Sequence, residues 1–499
     1  MNSRPALLNR PTAWLLIATL ATLAACTTSP PYQRPSAASP ATFKEAPAAA
    51  STWFPAAPAD TLDRGPWWQL FGDPELSALA AQVEVSNQNV AAAVAAYAQA
   101  QALVREQRAA LFPALSLAAV ATRNGGQGLL VRGNNVQAGV NASWEPDIWG
   151  QLRLSVTSAQ AGAQASAATL AAARLAAQAA LATDYFALRE ADNEIALLGS
   201  AVEAYGRSLQ ITRNQYQAGI AQRTDVLQAQ TQLATTRANL TAMIGQRALL
   251  EHAIALLVGR APADFSVPAE QRNETVPAVP LVVPSELLQR RPDIAAAERA
   301  VAAANARIGI ERSAYFPSLR LSASYSGAGA DLASVFSASN AVWSVGLAVA
   351  QTLFDAGAIA ARVEGAQAAH DAAVANYRQT VLAAFQSVED QLATIRSLAE
   401  QVDLRRAASA DADRTEQLTL NQYRQGQVPY TSVVTAQVTA LAARQTLTQL
   451  TSSRQAATIA LIRALGGGWR EPGADQTAAV RSQWGRQSPA ADAPGPDTP

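Results

Sequence analysis

The sequence has almost none of the side chains that build metal sites or disulfide bonds. Among its 499 residues there are one cysteine, Cys26, and two histidines, His252 and His370. A disulfide bond within the chain is therefore excluded, and a zinc site of the usual kind would have too few ligands. No nucleophile–base pair or nucleotide-binding loop is recognisable either. We expect no metal, no cofactor and no enzymatic activity, and we interpret both histidines as packing or surface residues.

The chain also lacks an excess of charge of either sign. It has 38 Lys and Arg residues against 38 Asp and Glu residues, so its formal net charge is zero. This balance argues against a nucleic acid partner, which usually requires a basic surface. Aromatic residues make up only 6% of the chain, whereas alanine and glutamine, which favour helices, are abundant. The composition therefore indicates a mainly helical protein.

A signal-like hydrophobic run is confined to the N-terminus. Residues 13–25 follow Arg4 and Arg10 and are too few for a membrane-spanning helix of about 20 residues. The run ends in "LAAC", which resembles the lipobox of bacterial lipoproteins. This resemblance predicts a signal peptide over 1–25, cleavage before Cys26 and attachment of lipid to that cysteine. An ordinary signal peptide followed by an unrelated cysteine is the alternative.

The segments next to the predicted signal peptide and at the C-terminus have the composition of irregular chain. Thr27, rather than an aspartate, follows the cysteine, and by resemblance to lipoprotein sorting signals this favours the outer membrane. Residues 26–59 are rich in Pro, Ala, Ser and Thr and are predicted to form a lipid-anchored tether. Residues 468–499 are predicted to form a polar tail.

Two parts of the chain repeat one pattern about 200 residues apart, which indicates an internal duplication. "AALFPALSLAA" at 109–119 matches "SAYFPSLRLSA" at 313–323. "QYQAGIAQRTDVLQAQ" at 215–230 matches "QYRQGQVPYTSVVTAQ" at 422–437. The predicted domains are a first repeat over 60–260, a collar linker over 261–284 and a second repeat over 285–467.

After each Phe-Pro pair the hydrophobic period changes from helical to alternating. Apolar residues take every second position in 136–145, 318–325 and 341–351. Such alternation predicts strands with one apolar face, and glycine-rich loops separate the strands of each pair. With the strand that follows the first Phe-Pro pair, each chain has four long strands.

The number of strands has a consequence for assembly. An open sheet edge is forbidden in lipid, so membrane strands must close into a barrel. Four strands cannot close alone, and two copies would give eight strands, a barrel filled by its own side chains. Three copies would give twelve strands, which leave room for a conduit. The strand count therefore favours a homotrimer.

The predicted helices are very long. No proline occurs between Leu152 and Tyr216, and a helix of this length spans roughly 100 Å at about 1.5 Å per residue. Apolar residues recur every seven positions from Leu181 to Tyr216, and again in the second repeat with interruptions at Ser409 and Glu416. This period is typical of coiled coils. Half-length helices are predicted at about 74–111, 220–258, 285–315 and 428–465. The irregular segments next to them should form a collar at mid-height.

Several stretches resemble one protein family. "PWWQLFGDPELSALA" at 66–80, "VPSELLQRRPDIAAAERAVAAANARIGIERSAYFPSLRLSAS" at 283–324 and "YTSVVTAQ" at 430–437 are similar to outer-membrane efflux lipoproteins of the TolC superfamily, NodT branch. The resemblance implies a mainly α trimeric channel-tunnel with a membrane β-barrel. Four strands per chain would enter a twelve-stranded barrel in the outer membrane, and a coiled-coil α-helical barrel would cross the periplasm.

The resemblance also implies a function and partners. Such proteins are exit ducts of tripartite efflux systems, which pass drugs or other small toxic molecules from an inner-membrane transporter through a periplasmic adaptor to the duct. A type I protein-secretion duct of the same fold and a structural coiled-coil lipoprotein without a pore are the alternatives. The lipobox and the motifs favour efflux over secretion, and the amphipathic strands argue against a protein without a pore.

The two repeated turns are expected to be the periplasmic tips of two helical hairpins. Gly219 and Gly426 suit tight turns, because glycine tolerates positive φ. A purely structural role in the turns is the alternative. The other candidate contacts with the adaptor are Arg223, Thr224, Asp225 and Ser432, of which Thr224 and Ser432 are also candidate helix caps.

Closure of the tube is assigned to the second tip. The resemblance implies a ring of acidic residues there, but no carboxylate occupies this region in the present sequence. Asp225 in the first tip is the only acidic residue between Gly219 and Gln230. We therefore expect apolar packing of Val428 and Tyr430 to close the tube.

Overall fold

The structure is a computed structural model that describes residues 30–37, 40, 42–45, 67–125, 133–271, 276–277 and 291–467. The predicted signal peptide, Cys26 and the polar tail lie outside these residues. So do the glycine-rich loop between the first two strands, most of the predicted tether and parts of the predicted linker.

Among the described residues each repeat contributes two strands and four helices, and in the second repeat one short helix lies between the strands. In the first repeat these are α1 (Pro74–Ser86), α2 (Gln88–Ala109), β1 (Ala114–Asn124), β2 (Gly133–Trp144), α3 (Gln151–Gln217) and α4 (Arg223–Leu257). In the second they are α5 (Pro292–Ser313), β3 (Ser318–Gly329), the short α6 (Leu332–Val335), β4 (Ala341–Ala350), α7 (Ala358–Arg424) and α8 (Tyr430–Ala464). Single 3₁₀ turns lie at Trp67–Phe71, Pro262–Asp264 and Ala338–Asn340.

The helix lengths repeat between the two halves. Helices α3 and α7 both have 67 residues, and α4 and α8 both have 35. A helix of 67 residues spans about 100 Å. The predicted pairing of one long helix with a returning helix of half its length is therefore confirmed in both repeats.

The four strands form one antiparallel sheet in the order β1-β2-β3-β4. The hairpin of the first repeat pairs with that of the second through β2 and β3, over nine residue pairs from Val136 with Gly329 to Trp144 with Leu321. Residues pair one to one along each of the three strand pairs, without a β-bulge. The two repeats thus build one sheet, in which β1 and β4 are the edge strands.

The chain divides into two compact units. One contains residues 1–37, 95–166 and 296–380, which include the whole sheet. The other contains residues 38–94, 167–295 and 381–499, which include α4, α8 and both hairpin turns. Each unit draws on both repeats, so the boundary between the units does not coincide with the boundary between the repeats.

Residues 74–111 do not form the continuous helix that the sequence predicts, because the helix breaks at Asn87. The Asn87 side-chain oxygen accepts hydrogen bonds from the backbone N–H groups of Asn89 (3.0 Å) and Val90 (3.1 Å). Its amide donates to the Leu257 carbonyl oxygen at 2.8 Å. An asparagine side chain that bonds to nearby backbone competes with helix geometry. The interruption is thus fixed by a contact with the end of α4.

The seven-residue stripe of α3 is only partly buried. Leu181, Leu188 and Leu209 are at most 6% exposed, but Tyr216 is 46% exposed. Leu198 and Tyr205, which lie three residues beyond the predicted positions 195 and 202, are buried instead. Residues three apart lie on the same side of a helix, so Leu198 and Tyr205 belong to the same buried side as the stripe.

The corresponding stripe of α7 follows the prediction more closely. Val388, Val402 and Tyr423 are buried. Ser409, which interrupts the apolar pattern, is buried too, and Glu416 binds Arg444 of α8 at 2.9 Å. The interruptions therefore belong to the packed face of the helix, with a small residue and an ion pair in place of apolar side chains.

Candidate functional site

The sheet has one apolar face, which the strand register defines. Directly paired residues on neighbouring strands point to the same side of a sheet. One such row crosses all four strands as Leu117, Val140, Tyr325 and Trp343. The neighbouring rows on this side are equally apolar, and they contain Leu115, Ala142, Ala323 and Val345 in one row and Trp144, Leu321 and Leu347 in another.

The opposite face of the sheet is mainly polar or small, with Val120 and Val342 as exceptions. Ser116, Asn141, Ser324 and Ser344 form one row across the four strands. The hydroxyl oxygens of Ser324 and Ser344 are 2.8 Å apart, a hydrogen bond between the two strands. The next row in this direction consists of the small residues Ala114, Ser143, Ser322 and Gly346. One side of the sheet is thus suited to lipid and the other to water.

Most of the apolar face is left uncovered by the described part of the chain. Leu117 is 77% exposed, Trp343 73% and Val345 72%. Soluble monomers rarely expose an apolar surface that extends over a whole sheet. Outward apolar bands of this kind, alternating with polar inward positions, characterise outer-membrane barrels. The edge strands β1 and β4 leave the sheet open, as a barrel shared among several chains requires.

Aromatic residues cluster where the strands meet the helices. The rings of Trp149 and Phe316 stack with centroids 4.7 Å apart, and the Trp149 indole donates to the Pro317 carbonyl oxygen at 2.7 Å. Beyond β4, Leu353 and Phe354 are 91% and 89% exposed. Aromatic side chains with one apolar and one polar end are typical of membrane–water interfaces.

Both hairpin tips are built by the same backbone motif. Gly219 and Gly426 have φ of 73° and 72°. At the first tip the N–H of Gly219 donates to the Tyr216 carbonyl, and that of Ile220 to the Gln215 carbonyl. Equivalent bonds, from Gly426 to Tyr423 and from Gln427 to Gln422, close the second tip. These are Schellman motifs, in which glycine takes the left-handed position after the helix.

Arg223, Thr224 and Asp225 are consecutive residues in the first turn of α4. Arg223 and Thr224 are exposed, and Asp225 is half-buried. The Asp225 carboxylate accepts a hydrogen bond from the Gln222 N–H at 3.3 Å. Thr224 donates to the Gln222 side chain instead of capping the helix. Gln222 is therefore the residue at the N-cap, and the capping role suggested for Thr224 is wrong.

The second tip differs from the first in what precedes its helix. Pro429 is the N-cap of α8 and has no side-chain hydrogen bond to offer. The backbone N–H of Ser432 donates to the Pro429 carbonyl at 3.1 Å, so Ser432 is not the cap either. Ser432 is half-buried, in the first turn of α8.

Tyr430 lies inside the chain. It is 1% exposed and belongs to a cluster that also contains Leu209, Leu233 and Tyr423, with Val428 partly buried against it. The Tyr423 and Tyr430 rings meet edge to face with centroids 5.1 Å apart. Burial raises the pKa of Tyr430, so its hydroxyl stays protonated. Tyr430 thus joins the two hairpins of one chain, a position that the sequence did not reveal.

A buried ion cluster, also missed by the sequence reasoning, surrounds Arg189. This side chain is fully buried and binds Glu75 at 2.6 Å and Asp192 at 3.0 Å. It also donates to the Pro268 carbonyl oxygen at 2.6 Å. Burial and a hydrogen bond to Asp73 raise the pKa of the neighbouring Tyr185 hydroxyl far above its usual range. The cluster fixes the start of α1 and the segment after α4 against the middle of α3.

A local signal for this cluster was present. Arg189 and Asp192 are three residues apart, so they share a helix face, and Arg189 directly follows Leu188 of the buried stripe. The distant members have no such signal. Arg247 binds Asp192 at 2.6 Å and the Val267 carbonyl at 2.7 Å.

Two further features concern metal binding and membrane insertion. Among the described residues no group of three or more His, Cys, Asp or Glu side chains is placed to hold a metal ion. By length and composition alone, α3 contains an 18-residue window apolar enough to cross a membrane. Half of that window is buried within the chain, and core helices of soluble proteins pass the same test, so this is weak evidence for a span.

Comparison with known proteins agrees with this architecture. Residues 79–260 and 283–467 match the family model of outer membrane efflux proteins. The chain is 29% identical to the cation efflux system protein CusC of Escherichia coli, over 90% of this chain and 97% of that protein. It is 30% identical to the toluene efflux pump outer membrane protein TtgC of Pseudomonas putida, over 93% and 97%.

Two more similarities concern the anchor and the fold. The probable outer membrane lipoprotein SilC of Salmonella typhimurium is 30% identical over 92% of this chain and 99% of its own length. A crystal structure of CusC matches with a TM-score of 0.78 and 27% identity, over 89% of this chain and all of that one. The predicted fold class and family are confirmed: the chain belongs to the outer membrane efflux protein family and is an outer-membrane channel of an efflux system.

Proposed function

We propose that three copies of the chain form one duct whose barrel contacts lipid through the apolar face of the sheet and water through the polar face. The observation that carries this proposal is the separation of the two faces across all four strands. A barrel of twelve strands has a lumen that side chains do not fill, unlike one of eight. The open edges β1 and β4 are the surfaces through which neighbouring copies would pair.

The hairpins extend the duct into the periplasm in this proposal. Their tips, around Gly219 and Gly426, are the contacts for a periplasmic adaptor, which links the duct to an inner-membrane transporter. The exposed Arg223 and Thr224 and the half-buried Asp225 and Ser432 support this assignment, because they place polar groups at the helix ends. The duct itself carries no reaction.

The cargo is a small molecule or an ion rather than a protein. The names of two similar proteins refer to cations and to toluene, and the described chain offers no metal cluster that would bind a cation tightly. Water-filled polar channels pass many small solutes. Selection among them is therefore assigned to the transporter.

A lipid on Cys26 is the second anchor in the outer membrane. The "LAAC" sequence and the similarity to a probable outer membrane lipoprotein support it. Residues 30–37 support a surface path for the chain after the anchor. Their contacts include the Tyr32 hydroxyl on Glu298 and the Asn305 amide on the Pro30 carbonyl.

Native mass spectrometry of the purified protein in detergent tests the trimer and the lipid together. We expect a complex of three mature chains, each starting at Cys26 and heavier than its amino-acid sequence by the mass of the attached acyl groups. A Cys26→Ala variant with a cleavable signal peptide is the control, and it should form the same trimer without the added mass. A monomer or dimer that conducts ions in planar bilayers would overturn the shared barrel, and an unmodified N-terminus would overturn the anchor.

Cross-linking in cells tests the contact with the adaptor. Thr224→Cys and Ser432→Cys should each form adducts with the adaptor when treated with a short thiol cross-linker. Ser200→Cys, an exposed position on α3 away from the tip, is the matched control and should form few. Equal yields at all three positions would show that the tips are not the preferred contact.

A further inference from the structure

The end of β3 presents two glycines on the apolar face of the sheet. Gly327 pairs with Ala138, and Gly329 pairs with Val136. Both glycines alternate with residues of the polar face and are in step with Tyr325. A Cβ atom added at either position would therefore point to the apolar side.

The connection between β3 and β4 occupies that space. A Cβ on Gly327 would collide with the backbone carbonyl of Val335, and one on Gly329 with the side chain of Ser334. Val335 is only 4% exposed. The connection is thus folded down onto the apolar side of the sheet, and the two glycines make room for it.

Hydrogen bonds hold the connection in this shape. The Asp331 carboxylate accepts a bond from the Ser334 N–H at 2.8 Å, which caps the short helix α6. The Ser334 carbonyl accepts from the Ser337 hydroxyl at 2.8 Å and from the Asn340 amide at 2.9 Å. The backbone of the β3–β4 connection is therefore held in one conformation, which fixes where its side chains lie.

Two large apolar side chains of the connection point away from the chain. Phe336 is 78% exposed and Leu332 is 65% exposed. They flank the buried Val335, so they are not needed to pack α6 on the sheet. Their exposure to water would be unfavourable, because free energy falls when apolar surface is removed from water.

The position of these residues along the sheet indicates what covers them. Helices α2, α3, α5 and α7 all join the strands at one end, whereas the β3–β4 connection lies at the other. The helical end has its own exposed apolar pair, Leu353 and Phe354. Strand β4 has 10 residues, which span roughly 33 Å. This is about the thickness of the hydrocarbon layer of a bilayer.

We propose that the β3–β4 connection contacts lipid and inserts Leu332 and Phe336 into the outer leaflet beside the barrel. The surface is continuous with the apolar face of the sheet, so its occupant is the acyl and headgroup boundary of the same membrane. The connection therefore does not cover the mouth of the channel. This inference rests on the proposed function in one respect, that the apolar face of the sheet faces lipid.

Spin labelling of the full-length mature chain in lipid vesicles tests the proposal. Single cysteines replace Phe336 or Leu332 in a Cys26→Ala background with a cleavable signal peptide, and each carries a nitroxide. Collision rates with oxygen, which dissolves in lipid, and with a water-soluble nickel chelate report the surroundings of the label. Matched controls are Val345→Cys and Ser344→Cys, neighbours on β4 that point to the apolar and polar faces, and Ser339→Cys on the connection itself.

We expect the labels at 332, 336 and 345 to favour oxygen over the nickel chelate, and those at 339 and 344 to favour the chelate. A label at 336 that favours the chelate, while 345 favours oxygen, would overturn the lipid contact of the β3–β4 connection and leave the proposed function intact. A label at 336 that meets neither reagent would also overturn it, because protein then covers the site. A label at 345 that favours the chelate would contradict the proposed membrane face itself.

A second measurement uses the unmodified protein and does not depend on the folding of variants. Hydroxyl-radical oxidation in lipid nanodiscs, followed by mass spectrometry, should leave Phe336 much less modified than Ile220, which is 75% exposed at the first tip. Similar oxidation of Phe336 and Ile220 would overturn the proposal.

Discussion

Arg189 is the largest of the fully buried side chains in the described chain. A buried guanidinium is tolerated only when carboxylates and carbonyl oxygens satisfy its donors. Here Glu75, Asp192, Tyr185 and Pro268 do so. These partners come from α1, from α3 and from the segment after α4, so one side chain decides how three parts of the fold meet.

Replacing Arg189 with methionine should destabilise the protein strongly. The substitution leaves Asp192, whose side chain is 3% exposed, with one cation fewer, and removal of one partner from a buried pair costs about 3–5 kcal/mol. The measurement is the midpoint of chemical unfolding at a fixed protein concentration. Arg207→Met is the control, because Arg207 pairs with Glu203 at 3.9 Å on the surface and such pairs contribute about 0–1 kcal/mol. Equal effects of the two substitutions would show that the cluster does not stabilise the fold.

At the scale of elements, the two hairpins are similar in backbone and different in side chains. Both long helices end in a Schellman motif, and each returning helix starts six residues after the last residue of the long helix. The first tip has charged groups in the opening turn of α4. The second has none there, and its Pro429 and Tyr430 fix the start of α8 by backbone restriction and burial.

Gly426→Ala should lower the stability of the second hairpin by about 1–2 kcal/mol, because a Cβ is unfavourable at positive φ. Gly426→Asn should cost less, since asparagine adopts this conformation more readily. Gly245→Ala is the control. It lies within α4 with open space around the added Cβ and should raise stability by up to about 1 kcal/mol. Thermal unfolding of the three variants measures these changes, and a neutral Gly426→Ala variant would contradict the left-handed turn.

At the scale of the whole molecule, a single chain is an incomplete structure. In the described part of the chain the sheet has two free edges and a largely uncovered apolar face. The helices carry exposed residues such as Leu256 and Leu404, which are 74% and 73% exposed. Exposed apolar surface of this extent marks contact with lipid or with other chains. The proposed assembly of three chains in the membrane would complete this structure.

Closure of the assembled tube is predicted to depend on Val428 and Tyr430. Replacing both with serine removes contacts between the hairpins of each chain, at a cost of about 3–5 kcal/mol for a buried aromatic ring. The tube should then open more often, with larger conductance in planar bilayers and greater sensitivity of cells to large antibiotics. Tyr430→Phe keeps the ring and should behave as the parent protein. A double serine variant with unchanged conductance would move the closure site elsewhere, with Arg223 and Asp225 next to be tested.

The sequence alone determined the features that depend on neighbouring residues. Alternation of apolar and polar residues predicted the strands and their apolar face. Long stretches without proline predicted α3 and α7, and the repeated glycines predicted both turns. These properties are local, because side-chain alternation, helix propensity and the φ of glycine are set within a few residues.

Tertiary structure decided what depends on residues far apart in the chain. Asn87 breaks a predicted helix because it meets Leu257, Arg189 is buried because Glu75 and Pro268 surround it, and Tyr430 is covered by α3 and α4 rather than left at the tip. No local pattern encodes such contacts. Each is selected by the packing of helices whose register a seven-residue repeat fixes only approximately, since the buried face drifts along a straight helix.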